Sequence, residues 1–202
     1  ERVSFGLAGT FDNGFDWNFD MTRSAEDNYG RQPDTGTSKL AAAIDGRGGP
    51  SGNETFDLFD PTANSQTLRD WLRSDQETWT NVVLSVVDFV MSGEVGGIDL
   101  AAGAQQRREK YDITRSPNSI VEFDAAGNLT KPADMIFLGG GTESSASRTT
   151  NAVFLEASTD LSENLELKGA VRYEDLENDS NVDPKLSLRY QASDEVILRA
   201  SV

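Results

Sequence analysis

The residues that could do chemistry in this chain are carboxylates and glycines, because it has neither histidine nor cysteine. That absence removes the usual zinc sites, Ser-His-Asp triads, histidine acid/base catalysis, thiolate nucleophiles and disulfides, and leaves carboxylate chemistry to weigh. Asp175, Glu177, Asp179 and Asp183 could offer oxygen ligands to a hard cation, but the run lacks the glycine and terminal glutamate of a defined calcium loop. Gly139-Gly140-Gly141 could cradle an anion; no P-loop lysine or helix signal follows it, and a flexible loop tip is the plainer reading. Asp16 and Asp20 form a carboxylate pair of the kind glycoside hydrolysis uses, although the wet face of a strand explains them without a reaction. No catalytic, cofactor-binding or metal residue is assigned from these clusters, and no cofactor is implied.

A second arrangement of charge is more regular. From Leu165 to Glu174, one parity carries Leu165, Leu167, Gly169, Val171 and Tyr173, and the other carries Glu166, Lys168, Arg172 and Glu174. The next segment alternates Lys185, Ser187 and Arg189 with Leu186, Leu188 and Tyr190, and in the last Arg199 shares a parity with Ile197 and Ser201. Near the N-terminus Asp16, Asn18 and Asp20 alternate with Phe15, Trp17, Phe19 and Met21. Period two is the signature of a strand whose two faces meet different surroundings. The apolar parity suits lipid, with Tyr173 at an interfacial aromatic girdle. The polar parity suits a water-filled lumen, so the lumen-facing candidates are Asp16, Asn18, Asp20, Glu166, Lys168, Arg172, Lys185, Arg189 and Arg199.

The elements that must position them read as hairpins. Residues 3–9 and 15–22 flank Asp12-Asn13-Gly14, whose residue types suit a tight turn. Residues 81–92 and 98–111, then 151–159 and 165–174, then 183–190 and 196–202, form three more pairs joined by short links. The spacing predicts about eight strands. Links between hairpins are long or polar: 23–80, 112–150 and the acidic 175–182. Compact soluble domains rarely hold structureless loops beyond about 15 residues, whereas a membrane barrel has short turns at one rim and long loops at the other. Within the first long link, residues 65–74 predict a short helix with Leu68, Trp71 and Leu72 on one face. No solenoid-like repeat is present. The fold class is all-β: an antiparallel up-and-down meander of about eight strands, part of a large transmembrane β-barrel.

Composition agrees. The formal charge is −16, which argues against nucleic acid as a partner, since phosphate contacts need clustered Lys and Arg. A mean hydropathy of −0.49 suits barrel strands, which need apolar residues only at alternate positions. No apolar run approaches the roughly 20 residues of a membrane helix; the richest, 82–91, is interrupted by Ser85 and Asp88. Both ends fall within patterned segments, so residues 1–202 are expected to be one partial barrel from the interior of a longer chain.

Read in order, these segments resemble the barrel of TonB-dependent outer-membrane receptors. Val153-Phe154-Leu155-Glu156-Ala157, then Leu165-Glu166-Leu167-Lys168-Gly169-Ala170-Val171-Arg172-Tyr173-Glu174-Asp175, then Pro184-Lys185-Leu186-Ser187-Leu188-Arg189-Tyr190, then Leu198-Arg199-Ala200-Ser201, match that family's F-x-E, L-E-L-x-x-A-x-R-Y-x-D, P-K-x-x-L-R and L-R-A-S steps. Upstream, Leu40 to Gly46, Gly48-Gly49-Pro50, Phe59-Asp60-Pro61, and Leu100 to Ala104 leading to Arg107-Arg108-Glu109 are similar to a receptor subgroup. The loop before Pro184 departs from the family's aromatic-Gly pair, carrying Leu176-Glu177-Asn178-Asp179-Ser180-Asn181 instead. The plug domain, the TonB-contacting box and the aromatic-terminated closing strand have no counterpart among residues 1–202.

The resemblance implies a barrel of about 22 strands with a plugged lumen, placed in the Gram-negative outer membrane. It implies an extracellular small-molecule ligand, such as a ferric siderophore or a corrinoid, moved inward without chemical change. It also implies outer-membrane lipid and the TonB complex as partners, the latter through the missing N-terminal parts, and no enzymatic activity. Two other classes remain from the residues alone: a small complete outer-membrane barrel with an adhesion or structural role, and a soluble carbohydrate-binding or hydrolytic β-protein.

Overall fold

A computed structural model describes residues 1–202. One eight-stranded sheet runs in the order β1-β2-β3-β4-β7-β8-β9-β10. Its strands are β1 (Arg2–Thr10), β2 (Asp16–Gln32), β3 (Gln76–Val95), β4 (Ile98–Arg115), β7 (Ser144–Ser162), β8 (Leu165–Asp175), β9 (Ser180–Gln191) and β10 (Ile197–Ser201). A separate two-stranded sheet, β5 (Glu122–Phe123) with β6 (Leu129–Lys131), lies within the connection from β4 to β7. Neighbours in the sheet are therefore neighbours in sequence, and the chain is a meander. Connections of an antiparallel meander alternate between its two ends, so the 33–75, 116–143 and 176–179 connections share one end and the tight turns share the other.

The tight turns follow from their residues. Gly96 and Gly97, with φ of 60° and 82°, form a two-residue link whose positive dihedrals match the twist of the flanking strands. In the first turn Gly14 has φ of 85°, its N–H donates to the Phe11 carbonyl at 2.9 Å, and Phe11 N–H donates to the Phe15 carbonyl at 2.8 Å. The eight strands expected from period two are present, but several are longer than predicted. β2 continues to Gln32, β3 begins at Gln76, β4 reaches Arg115 and β7 begins at Ser144. Their extensions carry polar residues on both parities, so the backbone ladder continues where the alternation that announces a strand has faded.

The chain divides into two units. The first comprises Glu1–Glu26, Val82–Lys110 and Ser147–Val202. Its apolar parity is left uncovered: Phe5, Leu7, Val153, Leu155, Val171, Leu186, Leu188 and Leu198 are all exposed, Leu155 by 50%. A soluble sheet would bury such a face against protein. Aromatics stand toward both limits of this surface. Tyr190 lies opposite Leu165 near the turn end, and Tyr173 lies opposite Val182 toward the loop end. The eight-residue step along β8 from Leu165 to Tyr173 spans about 26 Å at roughly 3.3 Å per residue, and less once the strand tilts.

The second unit, Asp27–Asn81 with Tyr111–Ala146, holds most of the buried core. Helix α1 (Thr37–Ile44) meets α2 (Gln66–Leu72) through Ala43, Leu68 and Leu72, with Leu40, Phe56 and Trp71 packed around them. The expected helix is thus α2, started by Ser65, whose Oγ accepts from Leu68 N–H at 2.9 Å. Helix α1 and the β5–β6 hairpin lack a predictive signal, being short and amphipathic over too few residues.

The two long connections are bound to each other. The buried Asp34 carboxylate accepts N–H bonds from Phe137 and Leu138, at 3.1 and 2.6 Å, and from Thr35 at 2.6 Å. In the reverse direction Asp134 accepts from Ser38 N–H at 2.7 Å and from Ser38 Oγ at 2.6 Å. Asn118 Nδ2 adds bonds to Ser74 Oγ at 2.8 Å and to the Asp75 carbonyl at 2.9 Å. The run Gly139-Gly140-Gly141, expected as a flexible tip, is held instead: a Cβ at Gly140 would strike the Ser119 carbonyl and Ala133, and Gly141 N–H donates to Ser119 at 2.9 Å.

Candidate functional site

Residues directly opposite one another in an antiparallel pair share a face. Across β8 and β9, Glu166 stands opposite Arg189, Lys168 opposite Ser187, Ala170 opposite Lys185 and Arg172 opposite Asp183. Across β9 and β10, Arg199 stands opposite Arg189. The sheet therefore brings Glu166, Lys168, Arg172, Lys185, Arg189 and Arg199 onto one face. On β1–β2, Asp16, Asn18 and Asp20 likewise share a face, opposite Thr10, Ala8 and Gly6. Asp16 lines the same recess as Glu94, Asp99, Glu156 and Lys168, which joins the N-terminal and C-terminal groups on one side of the first unit.

Charges on this face are partly paired within it. Lys168 Nζ lies 2.6 Å from Glu156, Arg172 lies 2.8 Å from Glu174, and Arg189 lies 4.0 Å from Glu166. Arg172 also donates to Gln105 Oε1 at 3.1 Å, and Gln105 Nε2 donates to Asp88 Oδ1 at 2.6 Å. That chain of four side chains crosses β3, β4 and β8. Thr10 Oγ1 donates to Asp16 at 2.6 Å, and the Asp20 carboxylate lies over Gly6, where a Cβ would fall 2.6 Å from Oδ1. Asp88, Gln105, Glu156 and Glu174 were not among the candidates drawn from sequence. Asp88 had a signal, since it interrupts the apolar run 82–91; Gln105 had none, because its partners are distant in sequence.

Carboxylates of the acidic run weighed for cation binding accept hydrogen bonds from nearby groups. Asp175 accepts from Glu177 N–H at 3.3 Å, Glu177 from Thr149 N–H at 3.1 Å, and Asp183 from Asn181 Nδ2 at 2.8 Å. Glu177 has φ of 71°, the one non-glycine residue in the left-handed region, which marks a tight turn.

Outside the sheet, ionisation is shaped by the loop contacts. Burial raises the Asp34 carboxyl, but the N–H donors of Thr35, Leu138, Phe137 and Ile136 outweigh it and hold the group below the ordinary carboxylate range. The Arg73 hydrogen bond, opposed by burial and reinforced by Arg31, does the same for Asp75.

An uncovered apolar face backed by a charged one, in a meander with long connections at one end, defines the wall of a membrane β-barrel. The model of the family described as TonB dependent receptor-like, beta-barrel matches residues 1–202, and the chain belongs to that family. Among solved structures, the chain is similar to a mutant of the ferric enterobactin receptor PfeA from Pseudomonas aeruginosa. The TM-score is 0.52 and the identity 15%, over 99% of this chain and 24% of the receptor. At that identity the likeness is one of fold, and this chain spans about a quarter of the receptor's length. No curated protein matches.

Proposed function

We propose that residues 1–202 are part of the wall of an outer-membrane receptor that takes up a scarce nutrient, such as a ferric siderophore or a corrinoid, with energy from the TonB complex. The observation that carries this reading is the sorting of side chains by parity, with an apolar surface uncovered on one face and the charged face behind it. On this reading Asp16, Asn18, Asp20, Glu166, Lys168, Arg172, Lys185, Arg189 and Arg199 line the lumen, where cross-strand ion pairs stiffen a wet wall. The plug and the remaining strands belong to the rest of the polypeptide. The long connections face the outside, as barrel loops do, and offer a folded surface to an incoming ligand. Family membership supports a receptor that moves its ligand without altering it.

The test uses the full-length protein in a Gram-negative host. It is expected in the outer-membrane fraction with heat-modifiable migration, and its deletion is expected to abolish accumulation of one radiolabelled chelate or corrinoid, as loss of TonB does. Recovery in the aqueous fraction would overturn the membrane reading. Outer-membrane residence with uptake of every nutrient unchanged by deletion would favour an adhesion or structural barrel.

A further inference from the structure

Toward its loop end, the apolar face of the first unit carries a row with positive charge. The register between β2 and β3 follows from the Phe15 ring against Gly93, from Asp16 and Ser92 sharing one recess, and from the Asn81–Asp27 hydrogen bond at 2.7 Å. The register between β3 and β4 follows from the Gln105–Asp88 bond and the two-residue turn at Gly96-Gly97. Together they set Arg23, Ser85 and Arg108 side by side on β2, β3 and β4. The row toward the turns is Met21, Val87 and Gln106, and the next is Phe19, Phe89 and Ala104.

Both arginines are exposed and neither has an ion-pair partner. The chain has 34 acidic residues against 18 basic ones, so a row holding two arginines and no carboxylate runs against its composition. Strands lie about 4.8 Å apart, which puts the two arginine Cα atoms about 10 Å apart with a serine hydroxyl between them. Two guanidinium forks on Cα atoms that far apart can reach one tetrahedral oxyanion, and each can give parallel N–H bonds to phosphate oxygens. Apolar side chains lie directly on the turn side of the row, where a bound molecule's hydrocarbon would rest.

We propose that Arg23, Ser85 and Arg108 form a binding site for a phosphorylated lipid headgroup, with its acyl chains along Met21, Val87, Phe19 and Phe89. This rests on the reading that the sheet spans the outer membrane. Charge complementarity at the edge of an apolar surface selects an anionic amphiphile over a neutral one.

The experiment takes full-length protein, purified in detergent and stripped of lipid, and titrates it with bis-phosphorylated lipid A, with the same lipid A after phosphatase treatment, and with inorganic phosphate. Binding is read by native mass spectrometry. Phosphorylated lipid A is expected to bind at least about tenfold more tightly than the dephosphorylated form, and the R23Q/R108Q double variant to lose that preference. A control variant, R47Q/K131Q, removes the same charge from exposed loop positions and is expected to keep it. Equal binding of the two lipids, retention of the preference in R23Q/R108Q, or equally tight binding of free phosphate would each overturn the proposal. Failure of the protein to fractionate with outer membranes would overturn the parent reading instead, so the two failures are distinct. Heat-modifiable migration of R23Q/R108Q establishes that lost binding is not lost folding.

Discussion

The Phe154 ring lies over Gly103 on the charged face of the sheet, so close that a Cβ at position 103 would fall 2.6 Å from Cζ and 2.7 Å from the Phe89 carbonyl oxygen. A large side chain on β7 thus uses the missing side chain on β4 as its seat. Gly103→Val is expected to lower the yield of heat-modifiable barrel severely, because both the ring and the backbone must move; overpacking of this kind costs about 1–3 kcal/mol or more. Adding Phe154→Ala should restore only part, since the carbonyl contact stays. Full restoration in the double variant, or none, would show that the ring and the backbone do not share the clash.

The two parities of β8 should respond in opposite ways. Leu167→Arg places a cation on the apolar face, where the cost is about 2–4 kcal/mol near a bilayer midplane, and should reduce folded barrel in the outer membrane. Arg172→Ala removes bonds to Glu174 and Gln105 on the charged face, and should change abundance and heat-modifiable migration little. Quantitative blotting of both forms checks the pair; the reverse order would mean that the faces are exchanged.

The loop body should loosen in acid. The Asp34 and Asp75 carboxyls titrate below the ordinary range in the folded protein. A depressed folded value means that their stabilisation is complete above the unfolded value of about 3.9 and is lost as pH falls through the depressed folded value. Hydrogen exchange after pulses at decreasing pH should show the amides of Phe137 and Leu138 opening below about pH 4 while the β8 ladder stays protected. Asp34→Ala should expose the same amides at neutral pH, and unchanged protection there would remove Asp34 from its proposed role.

Asn64 offers a sharper local test. Its side chain accepts from Asp57 N–H at 2.8 Å and donates to the carbonyls of Asp57 and Pro61 at 3.0 and 3.2 Å, holding a turn that leaves Phe59 fully exposed. Asn64→Ala should destabilise this turn by about 1–3 kcal/mol, because the turn loses three hydrogen bonds made by one buried side chain. Phe59→Ala should leave stability unchanged within about 0.5 kcal/mol. Limited proteolysis between Phe56 and Ser65 distinguishes the two: only the asparagine variant should be cut faster.

The strand pairs and the two faces were legible in the sequence because one surface of the sheet is apolar and the other charged, so that residues such as Leu165, Leu167 and Val171 recur at every second place. Each charged candidate from Glu166 to Arg199 fell on its common face for that reason. The far ends of β2, β3, β4 and β7 were not legible, since pairing there involves polar side chains on both parities. The contacts of Asp34 with Phe137, of Ser38 with Asp134 and of Asn118 with Ser74 were beyond reach as well. They join residues separated by long stretches of chain through single hydrogen bonds, which leave no periodicity to read.

The reciprocal grip of Asp34 and Asp134 has an evolutionary corollary. Each excursion supplies partners that the other's backbone cannot find for itself, so shortening or exchanging one alone would leave its counterpart with orphaned amides and an emptied cap. Changes of length in these two connections are therefore expected to come in pairs.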